Sequence, residues 1–262
     1  MNKIVLITGG TSGIGRETAL ALIKKGCTVY ELSRREKGVE GMNHISADVT
    51  DEQAVRNAVD FIMQKEGRID IAVNNAGFGI SGAIEFTSTE DAKRLFDVNF
   101  FGMVNVNRCV LPVMRKQGGG RIVNLSSVGA PVALPFQAYY SATKSAVNSY
   151  TLALANEVRP FGITVCAVQP GDISTGFTDA RDKIKEGDDI YEGRIEKSVS
   201  RMENDERNGM PPEKAGAFIA AKALKSKVRP IYTIGLQYKT VVALVKHLPI
   251  PLANRIIGKL YA

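Results

Sequence analysis

The chain has 262 residues, of which 44% are apolar and 23% charged, a composition ordinary for a soluble globular enzyme. No stretch reaches the roughly 18 apolar residues of a membrane span, and neither the three cysteines nor the two histidines have the spacing of metal ligands. The net charge of +7 is spread along the chain rather than gathered in a basic arm, which argues against nucleic-acid binding and indicates a solvated basic face, with attraction of an anionic cofactor or substrate as the alternative.

The first apolar run, Ile4–Ile7, is short and leads directly into a glycine-rich stretch, so we expect no signal peptide. The odd, widely separated cysteines provide no disulfide framework. We therefore expect a cytoplasmic protein without a bound metal.

Apolar runs rich in Val and Ile alternate with helical patterns along most of the chain. Continuously apolar strands are typical of a parallel sheet covered on both faces, and the alternation predicts a doubly wound α/β sheet. The predicted strands are Lys3–Thr8, Thr28–Ser33, Asn43–Ala47, Ile69–Asn74, Arg121–Ser126, Ile163–Gln169 and Ile231–Ile234. The predicted helices are Gly13–Lys25, Asp51–Glu66, Glu90–Lys116, Ala138–Val158 and Pro212–Lys225.

Two stretches depart from this alternation. Gly176–Met210 is polar and too long for a structureless connection, so we expect a mobile substrate lid there. Leu236–Ala262 is an apolar C-terminal extension, which Pro249 and Pro251 should divide into two short helices. No linker or repeat interrupts the chain, which indicates a single domain over residues 1–262.

The segment Thr8–Gly15 reads Thr-Gly-Gly-Thr-Ser-Gly-Ile-Gly, between the first strand and the first helix. Free N–H groups and the positive end of the helix dipole favour a phosphate there, and glycines permit its close approach. The spacing departs from the plain Gly-x-Gly-x-x-Gly fingerprint, and a simple turn into a helix remains the alternative. The candidate cofactor residues in this turn are Gly9, Thr11, Ser12, Gly13, Ile14 and Gly15.

The end of the second strand should meet the adenosine ribose of a dinucleotide. It carries Ser33-Arg34-Arg35, and a guanidinium suits a 2′-phosphate, so we predict NADP(H) rather than NAD(H). Two neighbouring acidic residues, Glu31 and Glu36, count against that choice.

Other candidate cofactor residues follow later strands. Asp48, next to Val49, could accept from the adenine amine or merely begin a turn. Polar and small residues at the carboxyl ends of central strands are placed where ligands bind in such sheets, although each could be an ordinary turn. These candidates are Asn75, Ala76, Gly77, Pro170, Gly171 and Thr175.

Tyr140 and Lys144 are four residues apart on a predicted helix and so share one face. An ammonium beside a phenol stabilises the phenolate, which makes proton exchange feasible in either direction. Ser127, at the end of the fifth strand, could hydrogen-bond a substrate carbonyl beside the Tyr140 hydroxyl. Tyr139 lacks a lysine four residues later, so Tyr140 is the better candidate.

In this order the motifs resemble the signature of the short-chain dehydrogenase/reductase family, from residue 3 to about residue 235. The resemblance implies a Rossmann-type sheet of seven parallel strands with helices on both faces. It also implies a nicotinamide cofactor, to which Tyr140 and Lys144 would bind in addition to the residues named above. It further implies a catalytic tetrad. In that family the tyrosine is the acid/base, the serine polarises the carbonyl, and the lysine binds the ribose and lowers the tyrosine pKa, while an asparagine holds a relay water. By position these roles fall on Tyr140, Ser127, Lys144 and Asn99.

The C-terminal extension and the approach Leu134–Phe136 look similar to the hydroxysteroid and retinol dehydrogenase branch. That similarity implies hydride transfer between NADP(H) and a lipophilic ketone or secondary alcohol. Alternatives are a 3-oxoacyl-thioester reductase and a non-catalytic NADP-binding regulator. We expect a homo-oligomer, a dimer rather than a tetramer because the extension could block one interface, and we leave a peripheral membrane contact open.

Overall fold

The computed structural model describes residues 2–261 and contains a seven-stranded parallel sheet in the order β3-β2-β1-β4-β6-β7-β9. The strands are β1 (Ile4–Thr8), β2 (Thr28–Ser33), β3 (Asn43–Ser46), β4 (Ile71–Asn74), β5 (Ile80–Ser81), β6 (Gly120–Leu125), β7 (Ile163–Gln169), β8 (Asp182–Lys183) and β9 (Ile231–Thr233). The helices are α1 (Gly13–Ile23), α2 (Glu52–Glu66), α3 (Thr89–Phe96), α4 (Gly102–Lys116), α5 (Ala138–Glu157), α6 (Arg194–Arg207), α7 (Pro212–Leu224), α8 (Leu236–His247) and α9 (Ile250–Tyr261).

The strand order reverses between β1 and β4, which is where doubly wound sheets bind their ligands. Side chains alternate across the sheet, so Leu6 of β1 joins the core beneath α2, α4 and α5, whereas Val5 and Ile7 join the core beneath α1 and α7. The doubly wound, seven-stranded fold predicted from the sequence is confirmed, and the predicted strands agree with those observed to within two residues at either end.

The prediction of one continuous helix over Glu90–Lys116 was wrong in one respect. A π-helical turn at Asp97–Phe101 separates α3 from α4. Such turns insert one extra residue into the helical ladder and often occur at functional sites. Asn99 lies inside this turn, so the irregularity sets the direction of a predicted site residue.

Residues 176–210 contain regular secondary structure. They contribute β8, which pairs with β5 in a separate two-stranded sheet, and the fourteen-residue helix α6. The C-terminal extension forms two helices, as predicted, with Pro249 between them and Pro251 in the first turn of α9, where proline is tolerated. Among residues 2–261, none of the helices is long and apolar enough to cross a membrane.

Gly216 lies where α7 crosses α1 with almost no space between the two backbones. A Cβ there would lie 2.5 Å from Glu17 C and 2.6 Å from Thr18 N. We therefore expect Gly216→Ala to lower the free energy of unfolding by about 1–3 kcal/mol, although alanine is the better helix former. Urea unfolding followed by circular dichroism measures the change.

Gly258 of α9 is the matched control, because a Cβ there has no neighbour within 4 Å. Gly258→Ala should leave the stability unchanged or raise it by up to about 1 kcal/mol. Equal stability of the two variants would contradict the close packing of α1 on α7.

Candidate active site

The turn between β1 and α1 requires glycine at three positions. Gly9 and Gly13 have φ values of +65° and +52°, which side chains of other residues rarely adopt. A Cβ at Gly15 would lie only 2.3 Å from the carbonyl oxygen of Gly9. The turn can therefore pass close beneath a ligand while α1 starts directly behind it.

The first turn of α1 has no side-chain cap. Its N-cap residue Ser12 makes no capping hydrogen bond, and no acidic residue follows in the first turn. By contrast, Asp51 caps α2, accepting from the backbone N–H groups of Gln53 and Ala54 at 2.9 and 3.1 Å. The unsatisfied N–H groups and the dipole of α1 thus provide an anion site, as the chemistry of a dinucleotide pyrophosphate requires.

Glu31, which counted against NADP(H), is fully buried. Its Oε1 accepts from the backbone N–H of Gly10 at 3.1 Å, and its Oε2 lies 2.6 Å from His44 Nδ1. The other ring nitrogen of His44 lies 2.8 Å from the carbonyl oxygen of Arg35. Through these two contacts, the His44 ring joins the glycine turn to the turn after β2.

The turn after β2 holds the predicted ribose-binding residues. The side chain of Arg34 is 78% exposed, and its Nη1 lies 3.9 Å from Asp48 Oδ2. The other oxygen of Asp48 accepts from the backbone N–H and the hydroxyl of Thr50 at 2.9 and 2.8 Å. Asp48 therefore begins a turn, which was the alternative to an adenine contact. It also lies beside Arg34, the residue predicted to bind a 2′-phosphate.

A single cavity of about 610 Å³ joins these turns to the tyrosine and the serine. Gly15 and Asn99 lie behind its wall. The predicted residues that line it are Gly9, Thr11, Ser12, Gly13, Ile14, Ser33, Arg34, Arg35, Asp48, Val49, Asn75, Ala76, Gly77, Ser127, Tyr140, Lys144, Pro170, Gly171 and Thr175.

Ser127 and Tyr140 lie together at one end of this cavity. A Cβ placed on Gly129 would lie 3.4 Å from Ser127 Oγ and 3.7 Å from Tyr140 Cε1. Burial raises the pKa of Tyr140 to about 12, while hydrogen bonding with Ser127 acts in the opposite direction. The phenol is therefore a proton donor at neutral pH, and its conversion to a phenolate needs a nearby positive charge.

Lys144 provides a cation one helical turn from Tyr140. Its side chain is buried, and Nζ donates to the carbonyl oxygen of Leu125 at 3.0 Å and lies 5.7 Å from the Tyr140 ring centre. Burial lowers the pKa of Lys144 to about 8, because desolvation penalises the ammonium. The pKa of Lys144 therefore lies closer to neutral pH than that of an exposed lysine.

Asn99 contacts the turn that ends β4 rather than the cavity. Its Oδ1 accepts from the backbone N–H of Phe78 at 3.0 Å, and its Nδ2 donates to the carbonyl oxygen of Phe78 at 2.9 Å. A Cβ on Gly77 would lie 2.8 Å from Asn99 Oδ1 and 3.7 Å from Lys144 Nζ. Asn99 therefore fixes the backbone next to Lys144, and its role with a relay water stays a prediction.

Sequence reasoning did not single out five further side chains that line the same cavity. Phe78 and Phe177 supply apolar walls, and the Phe177 ring centre lies 5.9 Å from that of Tyr140. Asp172 and Glu206 supply two carboxylates, and Gln137 supplies an amide. Phe177 and Glu206 fall within the predicted lid 176–210, although neither was singled out there, and the position of Asp172 just after Pro170-Gly171 was its signal.

The two carboxylates are held by partners outside the cavity. Tyr238 donates from its hydroxyl to Asp172 Oδ2 at 2.5 Å, and burial raises the pKa of Asp172 while this hydrogen bond opposes the rise. Glu206 forms an ion pair with the buried Arg181 and accepts from the Thr178 hydroxyl at 2.7 Å. These contacts attach residues 178–181 to α6 and present both acids to one cavity.

Comparison with known proteins places this geometry in a family. The family model described as short chain dehydrogenase matches residues 3–186. The chain is 43% identical over 234 residues to a 3-ketodihydrosphingosine reductase of Bacteroides thetaiotaomicron, which covers 88% of this chain and 87% of that protein.

Solved structures agree with this assignment. A short-chain dehydrogenase of Streptomyces avermitilis has a TM-score of 0.83 at 31% identity, with 93% of this chain and 91% of that chain covered. A 3-ketoacyl-(acyl-carrier-protein) reductase of Brucella melitensis, complexed with NADH, has a TM-score of 0.75 at 29% identity, with 88% and 96% covered. The predicted family is confirmed: the chain belongs to the short-chain dehydrogenases and is an oxidoreductase of that family.

Proposed function

We propose that this oxidoreductase uses NADPH to reduce the ketone of a long-chain lipid that carries an amino group next to the ketone, as 3-ketodihydrosphingosine does. One observation carries the proposal: Ser127 and Tyr140 line the same cavity as the carboxylates of Asp172 and Glu206 and the ring of Phe177. The Bacteroides thetaiotaomicron relative, at 43% identity, supports the same substrate class.

The cofactor proposal rests on the two turns at the carboxyl ends of β1 and β2. Gly9, Gly13 and the uncapped start of α1 fit a pyrophosphate, and Arg34 fits a 2′-phosphate because its guanidinium is exposed at the cavity edge. A bound nicotinamide cofactor supplies the hydride that reduces the carbonyl carbon. The NADH in the Brucella melitensis neighbour makes NAD(H) the competing choice.

The proton proposal assigns three roles within the protein. Tyr140 donates its phenolic proton to the carbonyl oxygen, and the Ser127 hydroxyl donates a hydrogen bond to the same oxygen as negative charge develops. The Lys144 ammonium, 5.7 Å from the Tyr140 ring centre, favours the phenolate that remains. Asn99 keeps the Gly77–Phe78 backbone in place beside this lysine.

The substrate proposal follows from the charged and the aromatic side chains that line the cavity. The buried guanidinium of Arg181 pairs with Glu206, whereas Asp172 accepts a hydrogen bond from the uncharged Tyr238 hydroxyl, so two acids at the cavity face one paired cation and the region has an excess of negative charge. A substrate ammonium two bonds from the carbonyl carbon would be attracted by this negative charge, whereas a 3-oxoacyl thioester carries no cation there. Phe78 and Phe177 suit an alkyl chain.

We further propose that residues 1–262 act as one catalytic domain in the cytoplasm, as a homodimer. Residues 176–210 would act as the substrate lid, because the ion pair of Arg181 with Glu206 connects two parts of this segment above the cavity. Residues 236–262 would act as an extension whose Tyr238 supports Asp172.

The substrate assignment predicts a preference that turnover assays can measure. NADPH oxidation should be fastest with 3-ketodihydrosphingosine, and slower with its N-acetyl derivative and with a 3-oxoacyl thioester. We expect Asp172→Asn to reduce kcat/KM about tenfold or more for the amine and to change it little for the N-acetyl compound, since one charged contact is lost. A preference for the thioester in the wild-type protein would instead favour the 3-oxoacyl reductase.

The role of Tyr140 predicts a separation between chemistry and cofactor binding. Tyr140→Phe should lower kcat by about 10²-fold to 10⁴-fold, because it removes the proton donor. NADPH affinity, measured by cofactor fluorescence, should remain within a few-fold. Tyr139→Phe is the control on the same helix and should retain activity; full turnover by Tyr140→Phe would overturn the assignment.

The role of Arg34 predicts a change in cofactor choice. Arg34→Ala should weaken NADPH binding about tenfold to 100-fold, because a charge-assisted contact with the 2′-phosphate is lost. NADH lacks this phosphate, so its binding should remain nearly unchanged. Calorimetric titration with each cofactor measures both constants. Lys37→Ala removes an exposed charge of the same turn that does not line the cavity, and it should affect neither; equal losses with both cofactors in Arg34→Ala would refute the phosphate contact.

A further inference from the structure

The two C-terminal helices expose an unusual amount of apolar surface. Of the thirteen large apolar side chains that are exposed among residues 2–261, seven belong to α8 and α9. Leu236 and Ile250, at the starts of the two helices, are 80% and 83% exposed. Large exposed apolar side chains that cluster in this way are typical of an interaction surface.

On α9 the exposed side chains form a ridge. Leu252, Ile256 and Leu260 recur every four residues and are 47%, 43% and 45% exposed, so they share one face of the helix. Arg255 and Lys259, also four residues apart and exposed, border this ridge. An apolar ridge bordered by long cationic side chains is the pattern of a helix that lies in a membrane interface.

The neighbouring face of α9, about 100° around the helix from the ridge, is occupied. Ala253 and Ile257 are buried, and the guanidinium carbon of Arg201 lies 5.3 Å from the ring centre of Tyr261. The Tyr261 hydroxyl also donates to Asp205 Oδ2 of α6 at 3.5 Å. The helix is thus held on the protein by one face while the ridge points outward.

Charge identifies the partner. The segment 236–262 contains four Lys or Arg residues and no Asp or Glu, so it carries +4 of the net charge of +7. An anionic lipid surface complements this charge and accepts the apolar ridge at the same time. A second copy of the chain, docked symmetrically through this segment, would bring two sets of four cations together with no acid in either segment.

We propose that α8 and α9 form a docking surface for an anionic phospholipid bilayer, with the ridge Leu252–Leu260 inserted among the lipids. The surface adjoins the cavity through α6, which carries Glu206, and through Tyr238 of α8, which holds Asp172. Delivery of a lipid substrate along this route rests on the proposed function, whereas the docking itself does not.

Flotation of the full-length protein with vesicles tests the docking directly. The protein should float with phosphatidylcholine vesicles that contain phosphatidylglycerol and should bind pure phosphatidylcholine far less. Arg255→Gln/Lys259→Gln should weaken binding about 30-fold, as expected for two cations at an anionic surface. Lys24→Gln/Lys25→Gln, which lowers the net charge equally at exposed residues of another face, should bind as the wild type does.

A ridge variant and an activity assay complete the test. Leu252→Ser/Ile256→Ser/Leu260→Ser should no longer bind vesicles. Its molar mass in solution, which reports the oligomeric state, and its turnover of a short, water-soluble ketone should stay the same. Equal losses in the two charge variants, no binding by the wild type, or a ridge variant that changes mass but still binds vesicles would each overturn the proposal. Since vesicle binding needs no turnover, failure of docking is distinguishable from failure of the reductase assignment.

Discussion

The site depends first on the hydrogen bonds that join the end of β1 to the end of β4. The Thr8 hydroxyl accepts from the backbone N–H groups of Asn75 and Ala76, both at 3.0 Å. The Asn75 amide in turn donates to the carbonyl oxygens of Thr8 and Gly9, both at 3.1 Å. Parallel strands place their ends at one edge of the sheet, and this exchange holds the glycine turn against the end of β4, at the point where the strand order reverses.

Behind this junction a row of buried amides continues the constraint toward Tyr140. Asn74 donates to the side-chain oxygens of Asn107 and Asn124 at 2.7 and 2.8 Å, and Asn124 donates to the Thr151 hydroxyl at 2.9 Å. Buried amides are costly unless they are paired, so these bonds select one arrangement of β4, α4, β6 and α5. Since α5 also carries Tyr140 and Lys144, the turns that fit the cofactor and the helix that fits the substrate are positioned by one polar network.

Most of the cavity wall could be predicted from the sequence, because strand ends in a parallel sheet meet wherever the pattern of strands is correct. The features that were missed depend instead on tertiary contacts. The π turn at Asp97–Phe101 spans five residues and β5 and β8 two residues each, which is too short for a periodic pattern to show in the sequence. Asp172 and Glu206 are distant in sequence and meet only because α6 folds back over the cavity, which no local propensity indicates.

Glu31 shows that an acidic residue near a cofactor motif predicts cofactor preference only if the direction of its side chain is known. Successive side chains of β2 alternate between the two faces of the sheet, and Tyr30 and Leu32 both join the core beneath α2. Glu31 must therefore point to the other face, where Gly10 leaves room for it: a Cβ on Gly10 would lie 2.5 Å from Glu31 Cγ. Its carboxylate is held by the Gly10 N–H and by His44, so an acid at this position supports the glycine turn from behind, while Arg34, just past the end of the strand, is the exposed charge.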